Sequence, residues 1–160
     1  MKKLVVALFL FQVLTTIALA QNENALIAKF NTITFELSKS KRDIPKSFIK
    51  YYNEMQRRSY GNLKSKRFVI ADVGEVFNPS DFGGKIPDRR LIFQSRKRVD
   101  NLYFIYFEKG GAVANQRYLY ILEYIGGRPQ SFLALTIYDN SETYEGLKDA
   151  LKNNQFRIMK

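Results

Sequence analysis

The 160-residue chain contains no cysteine and no histidine. Without them there is no Ser-His-Asp triad, no thiolate nucleophile and no zinc site of the usual ligands. A phosphate-binding glycine loop, a dinucleotide fingerprint and a nucleophile elbow are also missing. The pairs Gly110-Gly111 and Gly126-Gly127 read as hairpin loops between strands. Any catalysis would fall to Asp, Glu, Lys, Tyr or Ser alone. The composition points away from an enzyme and calls for no cofactor and no metal.

The missing cysteines bear on compartment too. Small domains secreted from eukaryotic cells are usually stapled by disulfides. The Asn-x-Ser/Thr match Asn78-Pro79-Ser80 is blocked as a sequon by its proline. Both absences favour a bacterial periplasm or exterior.

The first residues agree. Lys2 and Lys3 precede an apolar run from Leu4 to Leu14, broken by Gln12, and Ala18-Leu19-Ala20 forms a small-x-small site before Gln21. This is the pattern of a cleavable secretory signal peptide. A membrane anchor is the alternative, but a spanning helix wants about 20 apolar residues. No cysteine follows the run, which excludes a lipoprotein anchor. Residues 1–20 are therefore expected to be a signal peptide. Residues 21–160 would be a single α+β domain, exported and not membrane-spanning after cleavage, held by one hydrophobic core.

Charge is the strongest signal. The chain has 26 Lys+Arg against 15 Asp+Glu, a net charge of +11. From Lys39 to Arg67 ten basic residues face only Asp43 and Glu54. A second basic cluster runs through Lys85, Arg89, Arg90, Arg96, Lys97 and Arg98. Acids gather later, at Asp139, Glu142, Glu145 and Asp149. Such segregation raises the local concentration of anionic partners.

Along the chain a helical front gives way to strands and then to a short helix-strand tail. Leu26, Phe30, Ile33 and Leu37 share one helix face, although Thr32 to Leu37 also alternates like a strand. Asp43 can cap a helix with Pro45 in its first turn. Ile44, Phe48, Tyr52 and Met55 would form the apolar stripe of that helix, with Lys46, Lys50, Asn53 and Arg57 on another face. Strands are expected at Arg67–Val73, Arg90–Arg96, Leu102–Glu108, Arg117–Ile125 and Ser131–Tyr138, joined as antiparallel hairpins. Ser141 reads as the cap of a last helix carrying Tyr144, Leu147 and Leu151. Asn153-Asn154 stops it, before a final strand with Phe156 and Ile158.

The architecture expected is α+β: N-terminal helices on a curved antiparallel sheet of five to six strands, with a short C-terminal helix and strand. The element order is similar to that of cone-shaped domains of the nuclear-transport-factor kind and of cystatin-like folds.

The hairpin around Gly126–Gln130 can be registered from sequence. Placing Ile125 opposite Ser131 puts Tyr118, Tyr120, Tyr124, Phe132 and Tyr138 on one face and Leu119, Ile121, Leu133, Leu135 and Ile137 on the other. The aliphatic face is then the natural bed for the helices. The tyrosine face is a candidate pocket, dimer interface or ordinary core.

Glu123 falls on the aliphatic side, where desolvation would favour the neutral acid. It is a candidate acid or base, or a strand-end carboxylate that reaches water or an arginine. Asp72, Glu75, Asp81 and Asp88 flank a Gly/Pro-rich loop, but their spacing fits no calcium loop.

The basic stretch at Lys39, Lys41, Arg42, Lys46, Lys50, Arg57 and Arg58 is either a solvated face or a binding surface. Its partners would be anionic lipid headgroups, an acidic glycan or an acidic protein, and not nucleic acid. The leading reading is a non-enzymatic exported binding or envelope-associated domain. The alternatives are a cone-shaped small-molecule pocket using Glu or Tyr chemistry, and an immunity or inhibitor protein.

Overall fold

The computed structural model describes residues 22–60, 68–78, 86–110, 116–139 and 141–159; of Gln56 and residues 58–60 only the backbone is described. The expected signal peptide, Lys64, Lys66, Arg67, Asp81 and Lys85 lie outside the described residues. Two compact units divide after Thr32.

In the first unit the described chain is a helix, α1, over residues 22–32. The helix carries Leu26 and Phe30 but ends before Ile33 and Leu37. Its last turn is closed by Thr32, whose hydroxyl donates to the Lys29 carbonyl at 2.9 Å. The strand-like alternation after Thr32 is what the chain follows, for Ile33 and Phe35 are buried between exposed Thr34 and Glu36, and Leu37–Ser38 form β1.

The second unit is an antiparallel meander. A 3-10 turn at Lys41–Asp43 leads into α2 (Lys46–Tyr60). Strands β2 (Arg89–Ser95), β3 (Leu102–Lys109), β4 (Gln116–Ile125) and β5 (Arg128–Ile137) follow, then α3 (Tyr144–Lys152) and β6 (Phe156–Ile158). The six strands lie in chain order, and all the ladders are antiparallel. This is the α+β architecture expected from sequence.

Four local readings change. Asp43 closes the 3-10 turn, which Ser40 caps by accepting from the Arg42 N–H, and the first α2 amides bond to the Pro45 carbonyl. Asn53 leaves the basic face: its carbonyl accepts the Phe68 N–H at 2.9 Å and pins the incoming chain against α2. The expected strand to Val73 shrinks to one parallel bridge, Ala71 beside Arg90. Thr143 rather than Ser141 caps α3, accepting from the Gly146 N–H at 3.2 Å.

From Arg117 to Glu123 the β4–β5 register differs by two residues from the expected one, Tyr120 pairing with Ala134. At the turn the difference is three, Ile125 pairing with Arg128 across a two-residue turn. Gly126 and Gly127 both have positive φ (57° and 78°), as a tight primed hairpin turn requires. Pro129 lies inside β5, and the pairing slips once, between Glu123 and Tyr124, leaving Gln130 without an opposite number. A shift of two preserves the faces, because side chains alternate with period two.

Both faces are covered, but not as anticipated. α2 lies on the tyrosine face, where Ile44, Phe48 and Tyr52 join Tyr103, Ile105, Phe107, Tyr120, Leu122 and Tyr124 in one buried cluster. Phe48 sits 5.6 Å from Tyr103, Tyr52 stacks on Tyr120 at 5.8 Å, and Tyr51 meets Phe132 at 5.9 Å. The aliphatic face receives α3, through Tyr144 stacked on Phe104 at 5.8 Å. The reason is the polar tip of tyrosine, which needs a partner when buried. α2 and β2 supply it: Ser47 Oγ lies 3.0 Å from the Tyr124 hydroxyl, and Gln94 accepts from the Tyr103 hydroxyl.

Candidate functional site: the basic surface around α2

With Phe48 fully buried and Tyr52 3 % exposed, the stripe of α2 is committed to the core. Helical periodicity then turns Lys46, Lys50 and Arg57 outward, and all three are exposed. Lys46 and Arg57 are about 16 Å apart along the axis at 1.5 Å per residue. Arg58 belongs to the same helix, but its side chain lies outside the described residues. Glu54 interrupts the row and is half-buried.

The preceding segment is held in place from below. Gln94 is fully buried on β2, accepts from the Tyr103 hydroxyl and donates to the Ser40 carbonyl at 2.5 Å. That anchor fixes the 3-10 turn and leaves Lys39 and Arg42 exposed beside it. Lys41 is spent internally: its amide donates to Asp72, and its ammonium bonds Glu75 Oε2 at 2.6 Å. Lys41 in turn holds the Glu75 carboxyl below the usual carboxylate range, helped by the Asp72 N–H.

Arg98 is the residue missed as a site member. It sits in the β2–β3 turn, far from α2 in sequence. Its guanidinium lies 4.6 Å from the centre of the Tyr124 ring, whose hydroxyl meets Ser47 in the first turn of α2. Arg98 therefore joins the N-terminal end of the α2 surface. Arg96 and Lys97 do not join it in the same way, since both bond Glu36, at 2.7 Å and 3.7 Å. Arg96 chiefly, by hydrogen bond and charge, draws the Glu36 carboxyl below its ordinary value.

α2 breaks a rule that α3 obeys. The positive end of the helix dipole favours acids and disfavours cations. α3 has Glu145 in its first turn and Lys152 in its last. α2 begins on Lys46 and has no acid in its first turn.

The aromatic candidates are distributed differently. Tyr120 is 7 % exposed and Tyr124 1 %, both beneath α2. Burial pushes the Tyr120 hydroxyl above its ordinary pKa of 10. Tyr118 stacks on Phe107 at 5.6 Å, and its hydroxyl donates to Gln116 at 2.6 Å. Phe132 bridges Tyr51 and Tyr120. Tyr138 is 63 % exposed just past the end of β5, apart from that cluster. Glu123 is half-buried and accepts from the Ser131 hydroxyl at 2.9 Å.

The loop carboxylates are already partnered: Asp72 accepts from the Lys41 backbone N–H, Glu75 bonds the Lys41 ammonium, and Asp88 pairs with Arg89 at 2.8 Å. Among the described residues no cluster of three or more His, Cys, Asp or Glu forms a metal site. Among them also, no helix is long and apolar enough to cross a membrane.

The chain matches no family model, no curated protein and no solved structure.

Proposed function

We propose that the protein is an exported, non-enzymatic binding domain whose α2 surface engages an anionic partner. The observation that carries this reading is Lys46 at the positive end of α2, with Lys50 and Arg57 continuing the exposed row and no acid in the first turn. A cation at that position costs the fold a few tenths of a kcal/mol to about 1 kcal/mol. A surface needed only for solubility would place such charge at the other end of the helix. Lys39, Arg42 and Arg98 extend the same surface. The partner is an anionic lipid surface, an acidic glycan or an acidic protein. Because the apolar stripe of α2 is buried, contact is electrostatic, without insertion of the helix.

The test is binding of the domain starting at Gln21 to anionic and neutral vesicles and to an acidic glycan, across a salt series. Binding should fall steeply with salt. The triple change Lys46→Glu, Lys50→Glu and Arg57→Glu should abolish it. Full-strength binding by that variant, or no binding at low salt, would reduce the row to a solubility feature.

A further inference from the structure

The outer edge of β2 is capped at two places and open between them. β1 covers Gln94 and Ser95, and Ala71 bridges at Arg90, bonding the Arg89 carbonyl and the Leu91 N–H at 2.9 Å each. Between the two caps the β2–β3 register slips, leaving Ile92 without an opposite residue on β3. Bulges of this kind re-aim side chains and end pairing, and they recur beside binding sites.

A half-open cleft of about 150 Å³ lies at this gap. Its wall brings together Lys39 from the segment after β1, Gly74 from the 72–75 turn, Arg90 and Ile92 from β2, and Glu142 from the chain before α3. Gly74 has φ 86°, which lets the turn close with no side chain at the rim.

Three charged groups meet there, and each keeps capacity in reserve. Lys39 has no ion pair among the described residues. Arg90 bonds Glu108 Oε2 through one nitrogen at 2.6 Å and lies 4.7 Å from the centre of the Phe77 ring. Those two contacts hold its plane still and leave further N–H donors. Glu142 bonds Arg117 through Oε1 at 3.2 Å and is 68 % exposed. The cleft thus offers two cations and one carboxylate in a space below the roughly 300 Å³ of the smallest drug-sized pockets.

We propose that this cleft binds a small zwitterion, a molecule carrying both a carboxylate and an ammonium group, such as a free amino acid. The carboxylate is received by Lys39 and Arg90, and the ammonium by Glu142. The site shares Lys39 with the α2 surface, but the zwitterion reading does not depend on that surface's role.

The experiment is amide-resolved NMR titration of the domain starting at Gln21 with L-alanine, β-alanine, acetate and methylammonium. Both amino acids should shift the Lys39, Gly74, Ile92 and Glu142 amides, with acetate and methylammonium about tenfold weaker, since each lacks one charged contact. Glu142→Gln should reduce amino-acid binding to the acetate level and leave acetate unchanged. Lys39→Ala should weaken amino acids and acetate alike. Both positions are exposed, and Arg117 keeps its 2.6 Å bond to the Ser141 carbonyl, so the variants should fold. No cleft shifts with any probe, or amino-acid binding indifferent to Glu142→Gln, would overturn the proposal.

Discussion

Replacing Phe48 with alanine tests the packing on which the basic surface depends. Phe48 is fully buried and rings it on four sides: Tyr52 at 6.4 Å, Phe68 at 5.3 Å, Tyr103 at 5.6 Å and Tyr120 at 6.5 Å. Phe-to-Ala changes in a packed core cost about 3–5 kcal/mol, from lost transfer energy and the cavity left behind. Edge-to-face pairs lost with the ring fall within that figure, at about 0.5–1.5 kcal/mol each. Domains are stable by about 5–15 kcal/mol, so about a fifth or more of the total would go. At roughly 2–4 °C per kcal/mol, the midpoint should drop by about 6–20 °C.

Urea unfolding followed by circular dichroism reads the change. The half-buried pair Tyr51 and Phe132 then locates α2 on the tyrosine face. A double-mutant cycle with alanine at both should give a coupling of about 0.5–1.5 kcal/mol. A Phe48→Ala loss below about 1 kcal/mol, or a zero coupling, would refute the packing of α2 and with it the outward placement of Lys46, Lys50 and Arg57.

Other outcomes follow from the same geometry. Lys46→Glu alone should raise stability by about 0.3–1 kcal/mol, by matching the helix dipole, while weakening anionic binding; a loss of stability in urea unfolding would contradict that account. Gly127→Val should cost about 1–2 kcal/mol, because its φ of 78° crowds a Cβ, and thermal melts should show it. In alkali, burial raises the hydroxyls of Tyr103 and Tyr120, and pushes that of Tyr144 up to about 12. Stability from these groups is whole below their ordinary value of 10 and is lost as pH rises through the folded values, so ultraviolet titration should find them protonated until unfolding begins. In acid, the lowered Glu75 carboxyl contributes stability present above its ordinary value of 4.5 and lost as pH falls through its folded value. The exchange protection of the Asp72 amide, whose N–H Glu75 accepts at 2.8 Å, measured against the intrinsic rate at each pH, should therefore fall as the carboxyl protonates.

Local periodicity made much of the fold legible before any tertiary contact. The alternation in β2 to β5 and the 3.6-residue stripes of α2 and α3 identified the elements, because neighbouring residues alone decide which side chains share a face. The sorting of Tyr120 and Tyr124 from Ile121 and Leu133 also survived a two-residue register error, since faces repeat every second residue. The exposed row on α2 was legible for the same reason: once Phe48 and Tyr52 face inward, helical geometry sends Lys46, Lys50 and Arg57 out.

Which surfaces meet, by contrast, depends on packing between distant segments. Nothing local tells that α2 covers tyrosines rather than aliphatics; that choice rests on Ser47 and Gln94 reaching the Tyr124 and Tyr103 hydroxyls across the core. Nor can spacing show that Lys41 is consumed by Glu75, that Arg98 joins the α2 surface through Tyr124, or that Lys39, Arg90 and Glu142 share a cleft. Those pairings link residues distant in sequence, and they exist only because the meander and its covering segments close around a common core.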